Sequence, residues 1–272
     1  MGITPEQRLK RMSVIGASDV PKILGLSQWG GPKDVWTSKV YPTVDRKASD
    51  AAQRGILLEK TILDWAADRL LRDGLQDLSM HSNIYYERPT PTGTPIGANC
   101  DAVIWTGDEN YIVEKTEDGQ PRRISEVPVA IVEAKSSASS EGWGREMTDE
   151  IPYAYIAQVM AQMFASGCPV AYIPALIGEG LSFKMYEVKW DEEFIDTMIE
   201  ECDRFWWHVE NKVPPEGPAP ATTHLRDIVR PTDKIVKLES EDYSLIEKWE
   251  IARHAKVEAA KAEQSAKAEV LM

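Results

Sequence analysis

Apolar positions along this chain recur with two periods, a helical one near both ends and a strand-like one through the middle. A helix is predicted from Ser18 to about Leu26, because Ser18 stands as an N-cap before Asp19 and the spacing Val20, Ile23, Leu24. Pro21 is tolerated in a first turn. A short helix is expected over Lys33 to Val40 and a long one over Ala48 to Leu71. In the long helix Ile56, Leu57, Leu63, Trp65, Leu70 and Leu71 fall mostly on one side. A strand is expected at Asn83–Tyr86, then two more at Gly97–Trp105 and Pro128–Ala134, rich in apolar and β-branched residues. The charged, glycine-containing stretch Thr106–Glu126 between them reads as a hairpin insertion. Tyr153 to Ser166 is helical after Pro152. Val170–Ile177 and Ser182–Val188 pair as strands across Gly178-Glu179-Gly180, and Asp191–Val209 is a helix. This order describes an α/β fold, a mixed central β-sheet flanked by helices.

The pattern breaks after residue 212. Val213–Thr222 holds four prolines, as a linker does, and Ser240–Leu271 is rich in Ala, Glu and Lys with helical spacing at Leu245, Trp249, Ala252 and Val257. The expected organisation is a domain over 1–212, a connecting segment over 213–239, and a long exposed C-terminal helix over 240–272 that suits a partner or oligomer contact. The chain stops inside a helical pattern with no C-cap signal, as a truncated chain would.

Composition narrows the setting. With 272 residues, 43% of them hydrophobic, the chain can bury a large core. No apolar run approaches the ~20 residues of a membrane span, and Met1–Lys10 is too polar for a secretory signal. Cys100, Cys168 and Cys202 are odd in number and widely spaced, so a reducing, cytoplasmic setting is expected, and no CxxC or close histidine pair suggests zinc. The net charge of −13, taken as a sum, opposes nucleic-acid binding. Its distribution does not: residues 1–60 hold ten Lys and Arg against six Asp and Glu, whereas Asp191–Lys212 holds eight acids and two bases. Such a chain could meet DNA with one face only.

Chemistry concentrates in Asp101 and, 32 residues later, Glu133-Ala134-Lys135. Glu133 and Lys135 lie two apart on a strand and so project from one face. Two carboxylates and a lysine at a sheet edge suit a hard divalent cation with oxygen ligands, which can polarise a scissile phosphate. Lys135 would orient or help deprotonate the attacking water and stabilise the transition state. On spacing alone Glu133 and Lys135 read as a surface charge pair, since ExK is weak by itself and common by chance. Three features favour a site. Ile131 and Val132 lead into Glu133 as a buried strand would. Glu59 follows Arg54-Gly55 on the long helix, placed as a third carboxylate or else as a solvated helix residue. Tyr155 and Gln158 share a helix face, with Gln158 set to orient Lys135 or a phosphate, or simply to cap a carbonyl.

Taken in order, Gly55-x-x-x-Glu59, the Asp101 strand, Glu133-Ala134-Lys135 and Tyr155-x-x-Gln158 resemble the YqaJ-like viral recombinase family, phage-lambda-exonuclease-like nucleases of the PD-(D/E)xK superfamily, across residues 10–210. Val14-Ile15-Gly16-Ala17-Ser18-Asp19-Val20 adds a fifth similar stretch. There the family pairs its serine with an arginine seven residues earlier to hold a 5′-terminal phosphate; the matching positions are Arg11 and Ser18. A helix N-terminus and an arginine suit that ligand. The resemblance implies a 5′→3′ exonuclease on double-stranded DNA ends that leaves a 3′ single strand for an annealing protein, assembled as a homo-oligomeric ring. It implies Mg²⁺, two ions per site with Mn²⁺ as a substitute, held by Asp101, Glu133, the Ala134 carbonyl and Glu59. It makes Lys135 the water-activating residue, supported by Gln158. The insertion Thr106–Glu126 and the tail after Val213 depart from the lambda pattern.

Other features have plainer readings. Phe194, Met198, Cys202, Trp206 and Val209 recur at helical spacing, so Phe205-Trp206-Trp207 is read as packing, with one aromatic left for a subunit contact. Trp29, in a glycine-rich loop, is a candidate wedge at a terminal base pair or a core residue. Tyr155 and Arg145 are further candidate DNA contacts, Cys100 is a small buried hydrophobe, and Ser136–Ser140 reads as a flexible loop. Two rival functions remain: a structure- or sequence-specific endonuclease on the same core, and a catalytically silent DNA-binding scaffold. The pair Arg11 and Ser18 argues against the first, which has no terminus to grip. The presence of Glu133 and Lys135 argues against the second.

Overall fold

The computed structural model describes residues 10–41, 49–73, 78–106, 111–115, 121–125, 128–220 and 239–271. The chain divides into two units, Met1–Val229 and Arg230–Met272. In the first unit the elements are β1 (Ile15–Gly16), α1 (Val20–Ile23), α2 (Pro32–Val40), α3 (Asp50–Arg72), β2 (Leu78–Pro89), β3 (Pro95–Thr106), β4 (Tyr111–Lys115), β5 (Pro121–Ser125), β6 (Pro128–Val132), β7 (Lys135–Ser137), α4 (Tyr153–Ser166), β8 (Val170–Ile177), β9 (Ser182–Lys189) and α5 (Glu192–Glu210). Seven strands form one mixed sheet; β4 and β5 pair separately as the expected hairpin.

The helices begin and end where local chemistry dictates. Ser49 accepts a hydrogen bond from the Ala52 amide (3.2 Å) to open α3, and Asp191 does the same from Phe194 (3.1 Å) for α5. Helix α4 closes on Gly167, whose φ of +77° suits a residue without Cβ.

The sheet is organised around β3. Along one edge β3 pairs antiparallel with β2 from Pro95 to Thr106. Its other edge is shared: β1 runs parallel to it at Ile96 and Gly97, and β6 antiparallel at Ala102–Trp105. Residues 98–101 lie between these two partners. Beyond Val132 the chain leaves β3, and after Glu133 and Ala134 it resumes as β7, parallel to β8 at Ala175–Ile177. Strand β8 takes β6 and β7 in succession on one edge and β9 on the other.

Each face is covered. Ile96, Ala98, Cys100 and Val103 of β3 pack in the larger core with α1, α2, α4 and α5, whereas Ala102 and Ile104 pack with Leu63 and Leu70 of α3. Facing alternates by two from 96 to 100 and slips by one before 103. Asp101 sits at that slip. Directly opposite, between the pairs Ser82↔Ala102 and Ile84↔Cys100, Asn83 adopts φ +58° and drops out of the ladder.

Several expectations need correction. Strand β2 is twelve residues long rather than four, because pairing to β3 organises a sequence too polar to show alternation. The expected helix from Ser18 is a single turn whose N-cap is Asp19, with no side-chain cap bond. Ser18 is therefore not a cap, and no long helix presents its N-terminus there. The inward face of α3 is Ile62, Leu63, Ala66 and Leu70, while Ile56, Leu57, Trp65 and Leu71 are exposed. Helix α5 buries Ile195, Met198, Cys202 and Phe205; Trp207 is the exposed aromatic of its triplet. Ser136 and Ser137 belong to β7 rather than to a loop.

The second unit contains α6 (Ser240–Leu271), a 32-residue helix on which Leu245, Trp249 and Val257 are exposed. Ion pairs Lys261–Glu258 and Lys267–Glu263 run along it. Residues 221–238, most of the expected connecting segment, lie outside the described residues.

Candidate active site

Where the chain parts from β3, Glu133 and Ala134 carry it along β8 from β6 to β7. The Glu133 amide is retained by the Tyr172 carbonyl of β8 (3.0 Å), and the Ala134 amide donates to Asp101 Oδ2 across the opening (2.9 Å). The break in the strand thus turns a backbone donor toward a carboxylate instead of toward a strand.

Glu133 is 5% exposed and heavily engaged. Its Oε1 accepts from Lys135 Nζ (2.6 Å) and Gln158 Nε2 (2.6 Å), and its Oε2 accepts from Gln162 Nε2 (2.7 Å). Lys135 Nζ donates also to Gln158 Oε1 (3.0 Å), so Gln158 touches both charged groups with opposite ends of its amide. Gln162 Nε2 donates in addition to the Asn99 carbonyl (3.2 Å). Both acceptors of Gln162 lack protons, which fixes its NH₂ toward them and leaves its buried Oε1 without a partner among the described residues. Lys135 Nζ lies 5.0 Å from the ring centroid of Tyr155, and Trp143 packs on Tyr155 and Tyr186 at 5.4 and 5.1 Å.

The electrostatics follow from burial. Asp101 is pushed up to about 8 by burial and next by Glu133, with Glu59 adding to the rise; Lys135 and the Ala134 amide pull the other way. Glu59 on α3 is raised by partial burial and by Glu133. Burial alone would lower the Lys135 amine, but Glu133 and Asp101 outweigh it and hold the ammonium charged. Three carboxylates therefore interact around one cation. Among the described residues no three Asp, Glu, His or Cys side chains converge closely enough to form a cage by themselves.

A cavity of about 490 Å³ adjoins this cluster. Gln158 and Gln162 line one side of it, and Arg11, Ser18 and the Gly16–Ala17 backbone line another. Lys10 and Tyr85 complete its wall; Tyr85 donates to Glu87 (2.7 Å), which also pairs with Lys10. The structure thus gathers Asp101, Glu133, Ala134, Lys135, Gln158 and Tyr155 in one cluster, with Glu59 in electrostatic reach, and opens Arg11 and Ser18 onto the adjoining cavity. Trp29 and Arg145 are exposed and are not among the residues lining that cavity. Gln162, Asn99, Lys10 and Tyr85 were not anticipated. Gln162 lies four residues beyond Gln158 on the same face of a helix that is otherwise apolar, which is a readable signal.

This fold is that of the phage-type exonucleases, with a PD-(D/E)xK core. The chain belongs to the YqaJ-like viral recombinase domain family, whose model matches residues 6–169. A Bacillus subtilis (strain 168) protein described as uncharacterized protein YqaJ is 30% identical over 206 residues, which cover 74% of this chain and 54% of that protein. The chain thus spans about half the length of this curated relative. The alkaline exonuclease LHK-Exo from Laribacter hongkongensis superposes with a TM-score of 0.50 at 16% identity, covering 77% of this chain and 94% of the other. A structure of LHK-Exo in complex with dAMP gives 0.51 at 15% identity, with the same coverage. A phage-related exonuclease from Haemophilus somnus 129PT gives 0.50 at 14% identity, covering 74% and 95%. No helix among the described residues is long and apolar enough to cross a membrane.

Proposed function

We propose that this chain is a metal-dependent deoxyribonuclease that enters duplex DNA at an end, digests it 5′→3′ and leaves a 3′ single strand for annealing. The observation that carries this reading is the cavity itself. It joins an arginine and a serine hydroxyl to the two glutamines that hold Glu133 and Lys135. A terminal phosphate is dianionic and offers three unshared oxygens, so Arg11 and Ser18 would favour it over an internal diester. A strand anchored there has its first linkage brought toward Lys135. About 490 Å³ falls within the range of small-ligand clefts.

The donor set fits a hard cation. Asp101 and Glu133 offer only oxygen, burial drives them to seek positive charge, and Mg²⁺ uses one or two carboxylates while keeping its own waters. Asp101, Glu133 and the Ala134 carbonyl would hold Mg²⁺, with Glu59 serving a second ion and Mn²⁺ as a substitute; the metal would supply Lewis-acid polarisation of the phosphate and charge neutralisation at the leaving oxygen. Lys135, kept as an ammonium, orients the attacking water and stabilises negative charge accumulating on the phosphoryl oxygens. Gln158 and Gln162 hold Glu133 and Lys135 in register. Tyr155 covers the ammonium.

Family membership supports a homo-oligomeric ring acting beside a single-strand annealing protein in the cytoplasm of a bacterial host. The test compares linear duplex carrying a 5′-phosphate or a 5′-hydroxyl, with Mg²⁺ and with EDTA, against a closed circle. Mg²⁺-dependent loss of the 5′-phosphorylated linear duplex with the circle spared is expected. Cutting of the circle would make the protein an endonuclease, and no cleavage of either would make it a silent scaffold.

A further inference from the structure

Lys39 is out of water, its side chain only 4% exposed. Its Nζ donates at 2.6 Å to the Asp19 carboxylate and at 2.6 Å to the backbone carbonyl of Arg11. A lysine this deeply buried persists only when its charge is answered, and here the answer comes from both ends of one short segment. Arg11 begins that segment and Asp19 ends it. Between them Gly16, Ala17 and Ser18 line the cavity. The Asp19 oxygen that meets Lys39 also accepts from the Gly16 amide (3.1 Å), so one ammonium and one carboxylate staple the whole stretch. Lys39 is itself held firmly. Trp36, three residues earlier on the same face of α2, donates from its indole nitrogen to the His208 carbonyl of α5 (3.0 Å).

We propose that Lys39 is the positioning residue of the terminal-phosphate pocket. It fixes the backbone that carries the Arg11 guanidinium relative to Ser18, and so sets the preference for a phosphorylated 5′ end. The proposal rests on the reading of Arg11 and Ser18 given above. Lys39 does not touch the phosphate; it holds apart, at one separation, the two groups that do. An ordinary buried ion pair would stabilise the domain and lower the rate on every substrate alike when removed. A positioning residue alters discrimination between substrates instead.

The experiment measures kcat/KM on linear duplex with 5′-phosphate and with 5′-hydroxyl ends, using the full chain as wild type, Arg11→Ala, Lys39→Met and the double variant Asp19→Asn/Lys39→Met. Thermal melting of each variant accompanies the rates. In Lys39→Met the ratio of the two kcat/KM values is expected to fall by about tenfold or more, the factor carried by one charge-assisted hydrogen bond, chiefly through KM for the phosphorylated end. The double variant strands no buried carboxylate and is expected to show the same fall, so it gives the answer if Lys39→Met does not fold. Both rates dropping together with the ratio preserved would overturn the proposal while leaving the pocket intact. A wild-type enzyme without phosphate preference, or an unchanged ratio in Arg11→Ala, would instead remove the pocket reading and the proposal with it.

Discussion

Replacing Gln162 with leucine separates stability from activity in a way the geometry makes quantitative. Gln162 is 1% exposed and spends both amide protons, on Glu133 Oε2 (2.7 Å) and on the Asn99 carbonyl (3.2 Å). Losing the bond to the carboxylate costs about 1.5–3 kcal/mol and the neutral bond roughly 1 kcal/mol. Two gains oppose this. Leucine removes the buried, unpartnered Oε1, a relief of about 1–3 kcal/mol, and fills nearly the same volume with apolar atoms. The sum runs from about zero to roughly 3 kcal/mol of destabilisation, so the melting temperature should fall by no more than about ten degrees. Catalysis has no such compensation, because Glu133 loses the donor that fixes its second oxygen. A 10- to 100-fold loss of Mg²⁺-supported cleavage is expected, in the range found for residues that orient metal ligands, with half-activation shifted to higher Mg²⁺. The assay is release of acid-soluble nucleotide from a 5′-phosphorylated duplex across a Mg²⁺ titration, beside thermal melting. Full activity in a folded Gln162→Leu variant would refute the claim that this bond positions Glu133.

Lys135→Ala should lower cleavage by about 10²–10³-fold while duplex binding, followed by gel shift in Ca²⁺, largely survives; retained cleavage would end its catalytic assignment. A Cβ at Gly97 would meet the Tyr85 hydroxyl at 2.6 Å and Val14 Cγ2 at 3.1 Å. Gly97→Ala should therefore destabilise by about 1–3 kcal/mol in urea unfolding, and Tyr85→Phe in the same chain should restore part of it; no rescue would place the strain elsewhere. Trp143→Ala removes the ring packed on Tyr155 and Tyr186 and should cost about 3–5 kcal/mol in the same measurement. A loss below 1 kcal/mol would show that the stack carries no weight.

What the sequence discloses here depends on how local each feature is. Asp101 and Glu133-Ala134-Lys135 were legible because strand alternation puts Glu133 and Lys135 on one side, and Tyr155 and Gln158 because helical spacing does the same. The break between β6 and β7 was not, since Val132 and Lys135 keep one parallel register along β8 and what ends at Val132 is the antiparallel pairing to β3, a partner about 30 residues earlier. Nor was Lys39, one lysine among the polar residues of a short helix, whose partners sit 20 and 28 residues earlier. The face of α3 was misjudged because Ile56, Leu57, Trp65 and Leu71 are as apolar as the residues it buries. Period gives a stripe, but only tertiary packing chooses which stripe turns inward. Ser18 has the chemistry of a cap, yet Asp19 follows it and is drawn to Gly16 and Lys39, leaving the serine open to the cavity.

The shared side of β3 makes an interior strand behave, for four residues, as an edge strand. Exposed edges invite pairing with foreign chains, and proteins usually blunt them with charge, proline or a covering loop. Here side chains take the place of the missing neighbour, with Gln162 donating to the Asn99 carbonyl and Asp101 receiving the Ala134 amide. The groups that satisfy the gap are the same ones that shape the cluster, so the lesion in the sheet and the proposed active site are one object. Amide exchange should reveal it as a fast-exchanging island in the middle of the most protected layer. Lengthening β1 or β6 until they meet would give a better sheet and would abolish the site.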